Sequence, residues 1–294
     1  MNQEDPPPLR MAPRETPEEL VRRVEREKRA ANWQRENLLD GSLAGFRVGS
    51  VPYLNSVPLT RGIEDQVRFM PPSELAEKLR RDELDAALVS VTEVLFQDRY
   101  DVLDGIAVAS LGEVKSVFLA HRQPLADIRE VYCDPASLTS VQLLKVLLRE
   151  RGYQPRFHPL PDPGTANLPD NFLLIGDQAI RFLLNRPDHH IWDLGAAWFE
   201  MTRQPFVYAV WTLRRGIEND ALRRQLREAR LFGLETLDSI IRNRTEFDFQ
   251  FRKDYLSWHI HYHLGTDEKR GLRTFQELLR KHTPGPIHEP RFVP

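Results

Sequence analysis

VGSVPYLNSVPL, residues 48–59, reads as the end of one element and the start of the next. Phe46 to Val51 alternate and are β-branched, the pattern of a short buried strand. Pro52 breaks it, and Tyr53, Leu54, Asn55 and Ser56 set an aromatic ring and two neutral hydrogen-bonding side chains at the strand's exit. Val57, Pro58 and Leu59 suit a first helical turn, where a proline's missing N–H would be unpaired in any case. Two readings stay open here. Asn55 or Ser56 is an ordinary N-cap, or the free amides and side chains cradle an anion.

The alternation continues downstream. SELAEKL at 73–79 opens a capped amphipathic helix, and Asp85–Ser90, Ser116–Ala120 and Glu130–Asp134 read as strands. Thr139–Arg149 is helical, with Val141, Leu144, Leu147 and Leu148 on one face. Asn171–Gly176 and Phe206–Thr212 return to strand, and helical patterns follow at 220–240 and 266–281. Strands alternating with helices imply a parallel or mixed sheet with helices on its faces. The proline-rich residues 160–170 form a long surface connection. Met1–Ala44 stands apart. Pro6–Pro8 precede a charge-dense stretch in which Thr16, Pro17 and Glu19 make a helix start, and its thin apolar stripe fits a surface helix or arm.

At 294 residues the chain can bury a core as one large domain or two lobes. A formal net charge of −2 gives no electrostatic case for nucleic acid or an anionic membrane. The single cysteine, Cys133, cannot form an internal disulfide. No apolar run reaches the roughly 18 residues of a transmembrane helix, and MNQEDPPPLR lacks the apolar centre of a secretory signal. A cytoplasmic protein is expected. Phosphate loops, dinucleotide fingerprints and paired-cysteine metal sites are absent. His259, His261 and His263 would share a face only in a strand. Tyr255–Leu264 is expected in or beside a helix, so these histidines read as packed or solvent-facing, and no metal is expected.

A second junction repeats the logic of the first. After Asp134, hydroxyls at Ser137, Thr139 and Ser140 fall where a helix begins, and such a turn suits a carboxylate. Plain capping is again the alternative. If the two junctions face one another, they define a cleft for an anion with two ends, and Ser90 and Ser116 sit at strand ends that could line it.

The ordered stretches VPYLNSVPL, PSELAEKLRRDELDAALVS, LGEVKSVFLA, DPASLTSVQLL, LLIGDQAI, DLGAAWFEMTRQPFVYAVW and YLSWHIHYHLGTDEKRGLRTF resemble the chorismate dehydratases of the futalosine route to menaquinone. The resemblance runs from about Arg47 to Leu279. It implies an α/β fold of two lobes, like a type II periplasmic binding protein turned to catalysis, with mixed sheets and the ligand in an interlobe cleft. SVFLA and FVYAVW are then the crossovers, lobe I is 45–120 with 208–285, lobe II is 121–207, and 286–294 is a C-terminal tail.

The implied reaction removes water from chorismate to give 3-[(1-carboxyvinyl)oxy]benzoate, with chorismate as the small-molecule partner, no nucleic acid or membrane, and no cofactor. Asn55 and Ser116 are the implied catalytic groups. Tyr53, Ser90, Ser137, Thr139, Ser140 and Asp177 are the implied substrate-binding ones, and a carboxylate of the substrate itself is expected to take the proton. The related 1,4-dihydroxy-6-naphthoate synthases carry a histidine base where this chain has Gly176, and a non-catalytic solute-binding protein would share the same cleft. Two departures from the dehydratase pattern stand out: Arg203-Gln204 replace a usual Gly-Leu, and Leu138 replaces a frequent arginine.

Overall fold

Val48–Ser50 (β1) is buried throughout because parallel partners cover both its edges, β2 (Val67–Phe69) on one side and β3 (Ala86–Ser90) on the other. The computed structural model describes residues 45–161, 168–185 and 188–294, with residues 16, 22, 25 and 43. Apart from those few positions, the arm at 1–44 lies outside the described residues, as does most of the connection at 160–170. β10 (Phe206–Arg214) runs antiparallel between β3 and β4 (Tyr100–Ser110), and β11 (Arg291–Val293) completes a six-stranded sheet beside β4. The second sheet has the order β7 (Arg156–Pro159), β6 (Glu130–Cys133), β8 (Asn171–Ile175), β5 (Val117–His121), β9 (His190–Asp193). Each sheet follows one plan: its own second, first and third strands, then a strand arriving from the other lobe, then its own fourth.

This corrects the expected crossovers. Val117–His121 pairs wholly within the second sheet and Phe206–Arg214 wholly within the first. A crossing segment has to leave one hydrogen-bond ladder before it joins the next, so the chain crosses in the irregular residues ahead of these strands, 111–116 and 203–205. Lobe I is accordingly 45–110 with 206 onward, and lobe II begins with β5. Residues 286–294 are not a separate tail, because β11 lies in the first sheet. At the second crossing Arg203 adopts φ 57° and ψ 29°, closing helix α5 (Leu194–Thr202) with its N–H on the Phe199 carbonyl. This left-handed conformation is the one glycine supplies most easily.

Local chemistry moves several other boundaries. The helix expected from Ser73 starts with Pro72 at its first position and has no side-chain cap (α1, Pro72–Arg80). The helical stretch 220–240 divides into α6 (Asp220–Glu235) and α7 (Leu237–Asn243). At the break, Thr236 Oγ1 donates to the Phe232 carbonyl at 2.6 Å, a back-bond that bends helices. After α8 (Phe249–Asp254) comes a π-helical turn, Tyr255–His259. Ile260–Leu264 is then extended, not helical, and His261 pairs its backbone with Ala109 of β4. Helix α9 (Thr266–His282) follows.

Two features brace the frame. Asp85, just ahead of β3, accepts from the Arg47 amide and guanidinium at 2.9–3.1 Å and from Arg214 at 2.8 Å, tying β1, β3 and β10 together. Across the lobes, Trp198 of α5 meets Phe206 of β10 and Phe275 of α9 edge-on, with the three centroid separations between 4.9 and 6.0 Å. Among the described residues no helix is long and apolar enough to cross a membrane.

Candidate active site

The cleft lies where the two lobes meet, with a cavity volume of about 70 Å³. Residues 54–59 form a short 3-10 turn that begins earlier than expected and has neither Asn55 nor Ser56 as its cap. Ser56 instead sits buried, its hydroxyl 2.6 Å from the Val51 carbonyl and 2.8 Å from that of Tyr53. The turn is pressed against α6 at Gly233, where a Cβ would fall 1.8 Å from the Pro58 carbonyl oxygen, so only glycine permits this approach. Asn55 is thereby presented to the cleft.

The anion expected at this first junction is the protein's own. Asp177, in the first turn of α4 (Gly176–Leu184), crosses from the other lobe and accepts the Leu54 amide at 3.0 Å. Burial raises the pKa of its carboxyl, while the Leu54 amide works against that rise. Asp177 is not among the residues that line the cleft, although Ile175 and Gly176 just before it are.

The second junction remains open. Ser137 precedes helix α3 (Leu138–Glu150) without capping it, and its hydroxyl is buried, lines the cleft and has no hydrogen-bond partner. Helix geometry leaves the first-turn amides of Thr139 and Ser140 without intrahelical acceptors. Asp134 holds the turn by accepting the Ala136 amide at 2.9 Å, and burial pushes its carboxyl up. Thr139 lines the cleft, yet its hydroxyl is already engaged. It accepts from the Thr92 amide at 3.2 Å and lies 3.1 Å from the Thr92 hydroxyl, in helix α2 (Val91–Phe96) of the other lobe.

Ser116, fully buried, faces these groups from the first crossing. Its hydroxyl accepts from Tyr255 at 2.7 Å, and Asn55 is near enough to that phenol to offset a little of the rise that burial gives its pKa. Tyr255 thus fixes one of the two expected catalytic groups, Ser116, a role the sequence reading missed. The π turn that aims it is a backbone feature often found at functional sites, and it has no sequence signature in YLSWH. Tyr208, also missed, lines the cleft and sits 3.0 Å from the Ser110 hydroxyl. Burial raises the pKa of both phenols, so each is a donor and not a base.

The cleft therefore gathers Tyr53, Asn55, Ser90, Ser116, Ser137, Thr139 and Ser140 around Leu88, Val108, Val114, Ile175 and Ile260. None of the described residues lining it is charged, and none is a histidine. Leu138 contributes an apolar wall where an arginine would have brought a cation. Such a site can hold an anion only through neutral donors and the positive end of α3.

A sequence profile described as menaquinone biosynthesis matches residues 46–281. The chain belongs to that family. A chorismate dehydratase from Thermus thermophilus is 35% identical over 261 residues, spanning 80% of this chain and 95% of that protein. Another from Campylobacter jejuni is 27% identical over 234 residues, spanning 78% and 91%. Among solved structures, a protein of Archaeoglobus fulgidus superposes with a TM-score of 0.65 at 17% identity, covering 80% of this chain and 97% of that one. The periplasmic aliphatic sulphonate binding protein SsuA from Escherichia coli gives 0.56 at 13% identity, covering 85% and 93%. At these identities the solved structures bear on the fold, which is that of a periplasmic binding protein.

Proposed function

We propose that this member of the menaquinone biosynthesis family is a chorismate dehydratase, a hydro-lyase forming 3-[(1-carboxyvinyl)oxy]benzoate. The observation that carries the reading is the cleft itself. It has one open turn of neutral donors at Ser137–Ser140, Asn55 and the Tyr255-bonded Ser116 also in its lining, and no ionised side chain among the described residues that line it. One carboxylate of chorismate sits on the Ser137 hydroxyl and the Thr139 and Ser140 amides, with Ser90 and Tyr53 beside it. Asn55 and Ser116 hold the enolpyruvyl arm and the ring.

A proton leaves the ring carbon bearing the ether oxygen, hydroxide leaves the neighbouring carbon, and the two depart as water while the ring becomes aromatic. The nearby Asp134 and Asp177 are bound to backbone amides and stand outside the lining. A carboxylate of the substrate itself therefore takes the proton, and correct positioning can supply roughly 7–11 kcal/mol of barrier lowering. The synthase alternative needs an imidazole at position 176. There a Cβ would lie 3.0 Å from the Tyr53 ring, and φ is +62°. A reducing, cytoplasmic setting belongs to this reading, supported by the single buried cysteine.

The test is conversion of chorismate by purified protein, followed by ultraviolet absorbance and by the mass loss of one water. Asn55→Ala is expected to lower turnover by about 10²–10³, as for a removed oxyanion donor, and Asp177→Asn to retain it. Binding without turnover in the native protein would make it a solute-binding protein. Abolished turnover with retained binding in Asp177→Asn would restore a protein-borne base.

A further inference from the structure

Outside the cleft, the extended segment Ile260–Leu264 alternates. Ile260, Tyr262 and Leu264 are buried, and Ile260 lines the cleft. His261 and His263 therefore point to the opposite face. Their rings stack with centroids 5.5 Å apart and 17° between planes. Glu268, in the first turn of α9, completes the group, with Oε1 3.1 Å from His263 Nε2 and Oε2 accepting the Gly265 amide at 2.9 Å. Its side chain is only 4% exposed. His261 Nδ1 is buried without a hydrogen-bond partner. One ligating atom from each of the three residues lies within 4.8 Å of the other two.

We propose that His261, His263 and Glu268 form a structural site for a divalent transition metal of the zinc type. Two imidazole nitrogens and one carboxylate oxygen are a donor set zinc accepts, at about 2.0–2.2 Å from the ion. Tetrahedral geometry at those lengths puts donors about 3.3 Å apart. His263, 53% exposed, is free to turn the remaining distance and leaves the fourth position to water. Magnesium and calcium, which want mostly oxygen ligands, are poorly served. The ion would give the buried Glu268 carboxylate its counter-charge. It would also fasten the strip that carries Ile260, and that pairs with Ala109 beside the first crossing, to the start of α9. Because the strip's other face meets the cleft, the metal stands apart from the reaction.

The experiment uses full-length, untagged protein stripped with a chelator, with zinc added and magnesium as control. Calorimetry is expected to show one equivalent of zinc per chain, and the thermal midpoint is expected to rise with zinc alone. Glu268→Gln keeps an acceptor for the Gly265 amide, so the helix start survives, and His263→Ala alters an exposed ring. Each is expected to weaken zinc binding by more than ten-fold, since even outer-shell partners are worth about 10–100-fold. No binding at micromolar zinc would overturn the proposal, leaving His263 and Glu268 as an ion pair only. Unchanged affinity and stoichiometry in both variants would overturn it too, by sending the zinc to other histidines.

Discussion

The Tyr255 hydroxyl is the smallest part of the molecule on which the site depends. It is buried and donates to Ser116, so it sets where a cleft-facing group stands. Tyr255→Phe is expected to fold with a loss of about 0.5–1.5 kcal/mol. Its kcat for chorismate should fall about ten-fold, equivalent to about 1.4 kcal/mol, with little change in KM. An unchanged kcat would reduce Tyr255 to packing. Arg203 poses the opposite case, a side chain in a glycine conformation, with its guanidinium 5.5 Å from the Phe199 ring centroid. Left-handed backbone costs a residue with a Cβ about 1–2 kcal/mol, and glycine gives back part of that through unfolded-chain freedom. Arg203→Gly is expected to stabilise the fold by up to about 1 kcal/mol, read as a higher urea midpoint. A lower midpoint would show the aromatic contact to be the stronger effect.

Among the elements, α2 and α3 are joined across the lobes by the Thr92–Thr139 pair, much as α4 reaches the 3-10 turn through Asp177 and Leu54. Thr139→Val would strand the Thr92 amide and hydroxyl in a buried contact, at about 1–3 kcal/mol. The expected result is a larger radius of gyration in solution scattering and a raised KM, with Thr139→Ser near native. If scattering is unchanged while KM rises, the hydroxyl serves the substrate and not the lobes. This double use explains how far the sequence could be read. Strands β3, β5, β6, β8 and β10 were legible because each is a short run of apolar or β-branched residues. β4 was not, since YDVLDGIAVAS interrupts its pattern with Asp101, Asp104 and Gly105 and its register with β10 shifts twice. The hydroxyl-rich turn and Asn55 were visible as residue types at a strand exit. What each hydroxyl bonds was not, because Thr92 and Leu54 come from distant segments that only the folded lobes bring near.

For the whole molecule, carboxylates divide by environment. Burial pushes the Asp85 carboxyl up, but the Arg47 side chain and amide together with Arg214 outweigh it and hold it down to about 2. Its stability contribution is present above the ordinary value of 3.8 and is lost as pH falls toward 2. Asp134, Asp177 and Asp193 have carboxyls raised chiefly by burial. The folded state holds their protons more tightly, so what they contribute is present at low pH and lost as pH rises through the raised values. Asp85→Asn is expected to cost about 2 kcal/mol at neutral pH and to flatten the acid limb between about pH 4 and 2, while the slope above it stays. An acid limb as steep as the native one in urea titrations across that range would refute the staple's role. The position of β10 has a consequence for synthesis. It fills the slot between β3 and β4, yet the entire second lobe is encoded between those strands and it. Because a chain leaves the ribosome from its N-terminal side, the second lobe can finish its sheet while β3 and β4 still wait with bare apolar edges. Such edges are templates for any neighbouring strand. A nascent chain that stalls before Phe206 therefore presents one finished lobe and one adhesive half-sheet, and it is during translation, more than after it, that this architecture needs a chaperone's shelter.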